Sequence, residues 1–258
     1  AMLYLNDLEG KITKFNLTNQ TQDGLGNSIK MFDSTTLFTA GSSKSNGRYM
    51  YHAMDASKGR STGNLWLFAG TGDYERINDT SALTSNYLLG IKDPHYPYYR
   101  EVATPTTADD ITKCKNTSND TTGVNCPKTV DKGWYAVIEN YGKTTAEPTA
   151  YGEMVYFPIY IPTAAANKCE LGDALICARD PECGTNYSEI VLGKNTGAHT
   201  QKKCLFVGKG VLSKLVFLGN TFFANIAGQA SGKQKDLVTS KVTGSSASTY
   251  RSSWKSNY

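Results

Sequence analysis

The side chains that could perform chemistry are few and scattered in this chain of 258 residues. Asp7 and Glu9 share one turn, and two neighbouring carboxylates can bind a cation or act as acid and base. A hairpin turn also uses Asp and Gly for its backbone geometry, so we favour a structural turn for this pair. Residues 116–123 are rich in oxygen ligands, but Asp120 is their only carboxylate, whereas calcium sites contain several. We therefore predict a solvated loop there.

Sequence motifs that mark enzymes do not occur in this chain. There is no Gly-x-Ser-x-Gly, HExxH, Walker or GxGxxG motif, and Gly70-Thr71-Gly72 is too short for a phosphate loop. We predict a protein that is not an enzyme, with no catalytic residue, no metal ligand and no cofactor of its own.

The cysteines are even in number and lack metal-binding spacing. None forms a CxxC pair, and the three histidines stand alone, so a zinc site is not supported. We predict disulfides formed in an oxidising compartment, with buried free thiols as the alternative. Cys114–Cys126 is the best single pairing, because both residues lie in one strand-poor segment. The disulfide candidates are Cys114, Cys126, Cys169, Cys177, Cys183 and Cys204.

The composition indicates an exported protein. The chain is rich in Thr, Ser, Asn, Gly and Tyr, and its net charge is only +4. Lys and Arg are scattered, so nucleic acid is not expected as a partner. No apolar run is long enough to span a bilayer, and no secretion signal is visible, so we expect a signal that was removed or lies outside this sequence.

Short aromatic and β-branched runs separated by Gly, Asn or Asp dominate the sequence. They read as antiparallel strands joined by tight turns, with no convincing helix. The clearest runs begin at Leu3, Leu65, Met154 and Leu215. Roughly 16 strands would make about four four-stranded blades if the architecture is a propeller. Polar insertions at residues 73–85, 104–132 and 167–200 would decorate them.

One segment has the composition of a contact surface. Residues 93–100 (DPHYPYYR) combine three tyrosines, a histidine and an arginine with two prolines that stiffen the chain. The alternative is an aromatic strap packed under a neighbouring blade. Trp66 and Trp134 lie in apolar runs and are expected in the core. The predicted binding residues are His95, Tyr96, Tyr98, Tyr99 and Arg100.

Several segments, taken in order, resemble the C-terminal propeller of the PilC/PilY family of type IV pilus tip-associated adhesins. No single motif is diagnostic, but the ordered set is fairly specific. The segments are residues 3–17 (LYLNDLEGKITKFNL), 30–40 (KMFDSTTLFTA), 65–91 with its LWLFAGTGDY core, 133–135 (GWY) with 147–148 and 154–162, and 251–254 (RSSW).

The resemblance implies an all-β, partial (open or incomplete) β-propeller of about four blades with long decorated loops. It would be a single domain over residues 1–258, the C-terminal part of a longer protein or of a split assembly. The implied role is non-enzymatic adhesion and assembly at the pilus tip, outside the cell. Expected partners are minor pilins, other pilus tip subunits, a host or surface receptor, and upstream blades in the same or a separate polypeptide.

The sequence departs from the family in two places. The Asp-rich calcium loop of many members would fall before residue 1, so calcium could come only from an upstream loop. An Arg-Gly-Asp tripeptide is missing, which puts an integrin mechanism in doubt. We also expect residues 3–5 or 250–253 to pair with a strand across a chain break or from a second polypeptide.

Two other functions remain open. A lectin-like propeller would bind carbohydrate, and a glycan array would reveal it. A propeller enzyme, such as a quinone-dependent dehydrogenase or a glycosidase, would show turnover, but no facing carboxylate pair is identifiable from the sequence.

Overall fold

Short apolar runs separated by turns and loops build four mainly antiparallel sheets that follow one another along the chain. The computed structural model describes residues 1–23, 26–80, 85–99, 109–163, 170–195, 203–228 and 237–243. Within them the fold is all-β, as predicted, apart from a 3₁₀ turn at Ile111–Lys113 and a four-residue helix, α1, at Ser188–Val191.

The strands are short, and both tight turns and long segments connect them. The first nine are β1 (Met2–Asn6), β2 (Lys11–Asn16), β3 (Ser34–Thr39), β4 (Asp55–Lys58), β5 (Leu65–Gly70), β6 (Tyr87–Asp93), β7 (Asp109–Asp110), β8 (Lys115–Asn116) and β9 (Gly133–Val137). The other nine are β10 (Lys143–Thr144), β11 (Thr149–Tyr151), β12 (Met154–Ile161), β13 (Asp173–Arg179), β14 (Leu205–Lys209), β15 (Val211–Leu212), β16 (Val216–Leu218), β17 (Thr221–Ala227) and β18 (Leu237–Lys241).

Over the described residues these strands form four sheets, none of them closed. Sheet I has the order β1-β2-β3-β7, and sheet II has the order β4-β5-β6-β9-β8. Sheet III has the order β10-β12-β13-β14, with β11 also on β12, and sheet IV has the order β15-β17-β16, with β18 also on β17. The short strands β7 and β8 make parallel pairs, and β7 joins sheet I while β8 joins sheet II. The insertion that contains them therefore links two sheets.

The first hairpin shows how local chemistry sets the register. Leu3 pairs with Phe15 and Leu5 pairs with Thr13 across β1 and β2. In the turn, the Asp7 carboxylate accepts the backbone N–H of Lys11 at 3.0 Å, and Gly10 adopts a positive φ of 71°. Asp7 thus serves the turn, as predicted, while Glu9 forms an exposed ion pair with the Lys11 side chain.

Consecutive sheets pack face to face, with one apolar core in each interface. Ile12 and Phe38 of sheet I meet Leu67 and Leu89 of sheet II. Further cores lie between sheets II and III and between sheets III and IV. Strands β6 and β13 are buried at every position because their sheets are covered on both faces. The middle of each strand is therefore apolar on both faces, without a polar alternation, and the buried charged residues lie at the strand ends, at Lys92 and Asp93 in β6 and at Asp173 and Arg179 in β13.

Gly70-Thr71-Gly72 has a structural role where sheets II and III approach each other closely. A Cβ on Gly70 would lie 2.1 Å from the Thr144 side chain, and a Cβ on Gly72 would lie 2.7 Å from the Cβ of Lys143. Thr71 is buried and accepts the backbone N–H of Tyr87 at 2.9 Å. Glycine is required here because the two sheets leave no room for a side chain.

The disulfide pairing corrects one prediction. The described cysteines form two bridges, Cys126–Cys183 and Cys177–Cys204, so the prediction of at least two disulfides is confirmed. The pairing Cys114–Cys126 is wrong, because Cys114 is a free thiol buried between sheets I and II. Cys126 lies instead beside the turn that follows β13. Cys169 lies outside the described residues.

We expect non-reducing peptide mapping to recover these two bridges and a Cys114 thiol. Burial raises the pKa of that thiol to about 12, so it should react with an alkylating agent only after unfolding. Rapid alkylation of Cys114 in the native protein would contradict this placement.

Lys143 gives the junction of sheets II and III a pH dependence. Its side chain is buried, and Nζ donates to the carbonyl oxygens of Asp79 at 2.7 Å and Tyr141 at 3.1 Å. Burial lowers the pKa of Lys143 to about 8, although the charges of Asp79 and Asp73 oppose the shift. Between pH 8 and the unfolded pKa of 10.5, the unfolded chain binds more protons at this residue, so its contribution to stability rises with pH.

We expect Lys143→Met to remove that rise. At about 1.4 kcal/mol for each pKa unit, the wild type should gain on the order of 2–3 kcal/mol relative to the variant across this window. Urea unfolding at several pH values measures the difference. The matched control is Lys113→Met, at an exposed position. Its free energy of unfolding should change with pH in parallel with that of the wild type. If the stability of Lys143→Met changed with pH in parallel with that of the wild type, the buried placement of this lysine would be contradicted.

Candidate binding surface

The predicted contact segment forms a loop directly after β6. Tyr96 and Tyr98 are 39% and 60% exposed, and His95 is partly exposed. Tyr99 is only 4% exposed, and Arg100 lies outside the described residues. We call residues 94–99 the tyrosine loop. It brings His95, Tyr96 and Tyr98 to one stretch of surface and holds Tyr99 underneath.

The last residue of β6 anchors the tyrosine loop. Asp93 is completely buried, and its Oδ1 accepts the backbone N–H of His95 at 3.0 Å. Its Oδ2 accepts the hydroxyl of Tyr4 at 2.7 Å and Nζ of Lys14 at 2.6 Å. One carboxylate therefore joins sheet II, sheet I and the loop.

Lys14 completes this anchor from the neighbouring sheet. Its Nζ donates to the carbonyl oxygen of Tyr98 at 2.7 Å, so the lysine holds the loop backbone as well as Asp93. The same ammonium lies 5.7 Å from the ring centre of Tyr4 and 6.0 Å from that of Tyr99. Cation–π attraction adds to the ion pair when the charge is desolvated.

Burial controls the electrostatics of the anchor. Desolvation lowers the pKa of Lys14, and the hydrogen bond and charge of Asp93 oppose this shift. Desolvation also raises the pKa of Tyr4, and its hydrogen bond to Asp93 adds to the increase. At neutral pH the tyrosine therefore remains a hydrogen-bond donor, and Asp93 collects donors from three directions.

Sequence reasoning selected the loop but missed the residues that hold it. The available signal was the period of two in β2, where Ile12, Lys14 and Asn16 share the buried face. A lysine on an apolar face requires a buried partner. The identity of that partner, Asp93, does not follow from the sequence, because 79 residues separate the two.

The segment has a buried part and an exposed part. Tyr99 is packed beneath the loop, as in a strap, while Tyr96 and Tyr98 present their rings to solvent. Tyrosine supplies a large, rigid contact area with a polar tip, which suits a binding surface. The assignment of these side chains to a binding partner stays a prediction.

A second aromatic group lies at the opposite end of sheet II. Tyr51 and His52 contact Tyr74, with ring centres 6.4 Å and 5.6 Å apart. Burial lowers the pKa of His52. The group was not selected from the sequence, since its members come from two separate segments. Its exposed Tyr74 provides a matched comparison for the tyrosine loop.

The described residues hold no group of three His, Cys, Asp or Glu side chains suited to a metal ion. In the oxygen-rich loop, Asp120 is buried rather than solvated, and it accepts backbone N–H groups of Thr122, Gly123 and Asn125. These hydrogen bonds lower the pKa of Asp120 against an opposing effect of burial. The carboxylate closes a turn there.

The fold is similar to a solved structure. The crystal structure of the Pseudomonas aeruginosa PilY1 C-terminal domain matches with a TM-score of 0.55 and 14% sequence identity. The match covers 88% of this chain and 56% of that one, so the chain spans a little over half the length of the matched domain. No protein-family model and no curated protein matches the chain.

The predicted resemblance is confirmed at the level of the fold. At 14% identity the match shows shared architecture, and function has to be argued from the site. Among the described helices, none has the length and apolar character of a membrane span.

We expect Asp93→Asn to destabilise the protein by about 3–5 kcal/mol, because the substitution leaves Lys14 buried without its counter-charge. Urea unfolding monitored by tryptophan fluorescence would measure the loss. Adding Lys14→Met to this variant should recover part of the stability, since the uncompensated charge is then gone.

The control is Glu9→Gln, which breaks the exposed pair with Lys11 and should leave unfolding unchanged. If Asp93→Asn unfolded at the same urea concentration as the wild type, the anchor would have no energetic role.

Proposed function

We propose that this chain is a non-enzymatic adhesion and assembly module of a type IV pilus tip, located outside the cell. The main support for the proposal is that the sequence and the fold independently resemble the same kind of protein. Ordered sequence segments resemble the tip-associated adhesins, and the fold resembles the PilY1 C-terminal domain. The two bridges support an oxidising, extracellular location, because disulfides persist there.

The proposed architecture is a partial β-propeller in one domain. Four meandering sheets stacked face to face in chain order fit consecutive blades of such a fold. The outer face of sheet I exposes Leu3 and Leu5, and that of sheet IV exposes Val216 and Leu218. Apolar outer faces and the edge position of β1 fit further blades beside them, supplied by the same or another polypeptide. Residues 250–253 lie outside the described residues.

The tyrosine loop is the proposed contact with a minor pilin, another tip subunit or an external receptor. Tyr96 and Tyr98 offer exposed rings on a backbone that Asp93 and Lys14 hold from below. A loop fixed before binding loses little conformational entropy when it meets a partner. Trp66 and Trp134 are fully buried, so neither can serve as the sugar platform of a lectin.

Binding measured by interferometry tests this proposal. We expect the purified chain to bind immobilised minor pilins from the same pilus, or the receptor-bearing surface. The double variant Tyr96→Ser/Tyr98→Ser should bind at least about tenfold more weakly, because exposed tyrosines dominate such contacts.

Tyr74→Ser is the matched control, since it removes a tyrosine at the other end of sheet II whose exposure lies between those of Tyr96 and Tyr98. If the double variant and the control lost equal binding affinity, the tyrosine loop would not be the contact site. Saturable binding on a glycan array without pilin binding would replace it with the lectin-like function, and steady substrate turnover would replace it with an enzyme.

A further inference from the structure

A cavity of about 150 Å³ lies between sheets II and III, away from the tyrosine loop. Most of its wall is apolar, with contributions from β6, β12 and β13. A cavity of this size, lined by aliphatic side chains, is large enough to hold a benzene ring. The apolar lining includes Leu88, Ile138, Ile159, Ile161, Leu175 and the Cys177–Cys204 bridge.

Arg179 brings a positive charge to this apolar space. It follows Leu175 and Cys177 at intervals of two in β13, so it lies on the strand face that lines the cavity. The side chain is 3% exposed. Its Nη1 donates to the carbonyl oxygens of Thr117 and Gly184, each at 3.0 Å, while Nε finds no acceptor in the part of the chain that the structure describes.

The charge of Arg179 lacks a counter-ion among the described residues. Glu139 and Asp120 influence it electrostatically, but neither forms an ion pair with it. Burial lowers the pKa of Arg179 to about 10, which leaves the guanidinium protonated at neutral pH. A buried cation with only carbonyl partners is costly, and an anion beside it would offset that cost.

The other charges around the cavity cancel each other. Lys203 and Glu139 form an ion pair at 2.5 Å, and Lys203 also contacts Asn119. Both side chains are partly exposed, whereas Arg179 is buried. The cavity therefore combines a neutral pair, an apolar wall and one uncompensated positive charge.

We infer that this cavity is a binding site for a small monocarboxylate with a compact apolar body, such as a benzoate-sized acid. The apolar body would occupy the space between the aliphatic side chains. The carboxylate would take the position that complements Arg179, where a charge-assisted hydrogen bond is stronger than a neutral one. Neither the adhesion proposal nor the tyrosine loop is needed for this site.

Titration calorimetry with benzoate tests the site, and benzamide serves as a neutral ligand of the same shape. We expect saturable binding of one benzoate, at least about tenfold tighter than benzamide. Arg179→Met should abolish that preference. Ile161→Phe keeps the arginine but fills the cavity, and it should weaken both ligands. Arg60→Met, at an exposed arginine paired with Glu153, is the control and should bind as the wild type does.

Several results would overturn the inference. Absence of saturable benzoate binding into the millimolar range by the folded wild type would leave a water-filled cavity only. Equal binding of benzoate and benzamide would remove the role of Arg179. If Arg179→Met does not fold, Ile161→Phe decides the question, because benzoate binding unchanged by a filled cavity would place the ligand elsewhere.

Discussion

The indole of Trp134 ties together the two central sheets, and much of the fold depends on it. The ring lies over Gly90 of the paired strand, where an added Cβ would come within 2.3 Å of it. It meets Phe157 of sheet III edge-on at 6.2 Å, and its Nε1 donates to the carbonyl oxygen of Pro181 at 2.9 Å. This one side chain therefore contacts its neighbouring strand, the core between the sheets and the turn that follows β13. The same turn carries Cys183 of the Cys126–Cys183 bridge.

Sheet I covers the other face of sheet II, and sheet IV covers the other face of sheet III. With both faces of the two central sheets covered, long insertions lie at the ends of their strands. The tyrosine loop occupies one end of sheet II, and the group around Tyr74 occupies the other. The cavity beside Arg179 lies within the interface itself. The two proposed sites therefore belong to different parts of the architecture, one on an exposed loop and one between packed sheets.

Strand positions could be predicted from the sequence where local chemistry determines them. The β1–β2 hairpin and the turn at Gly219 before β17 were visible as apolar runs around Gly and Asn. The pairing of Cys126 with Cys183 was not visible, because 57 residues separate them and composition carries no information about distant contacts. The tyrosine loop could likewise be selected by composition, whereas its anchor on Lys14 depends on the packing of one sheet against another.

Buried cations explain how this scaffold holds its irregular segments. Backbone carbonyls outside the sheets need donors when they are buried, and a long cationic side chain supplies several from a neighbouring strand. In each case burial lowers the pKa of the cation, so part of the folding free energy is spent on desolvating it. The loops gain a fixed backbone in return, and a fixed backbone is what a binding surface requires. Four buried cations donate to backbone carbonyl oxygens in this way: Lys14 to that of Tyr98, Lys92 to those of Lys128 and Thr129, Lys143 to those of Asp79 and Tyr141, and Arg179 to those of Thr117 and Gly184.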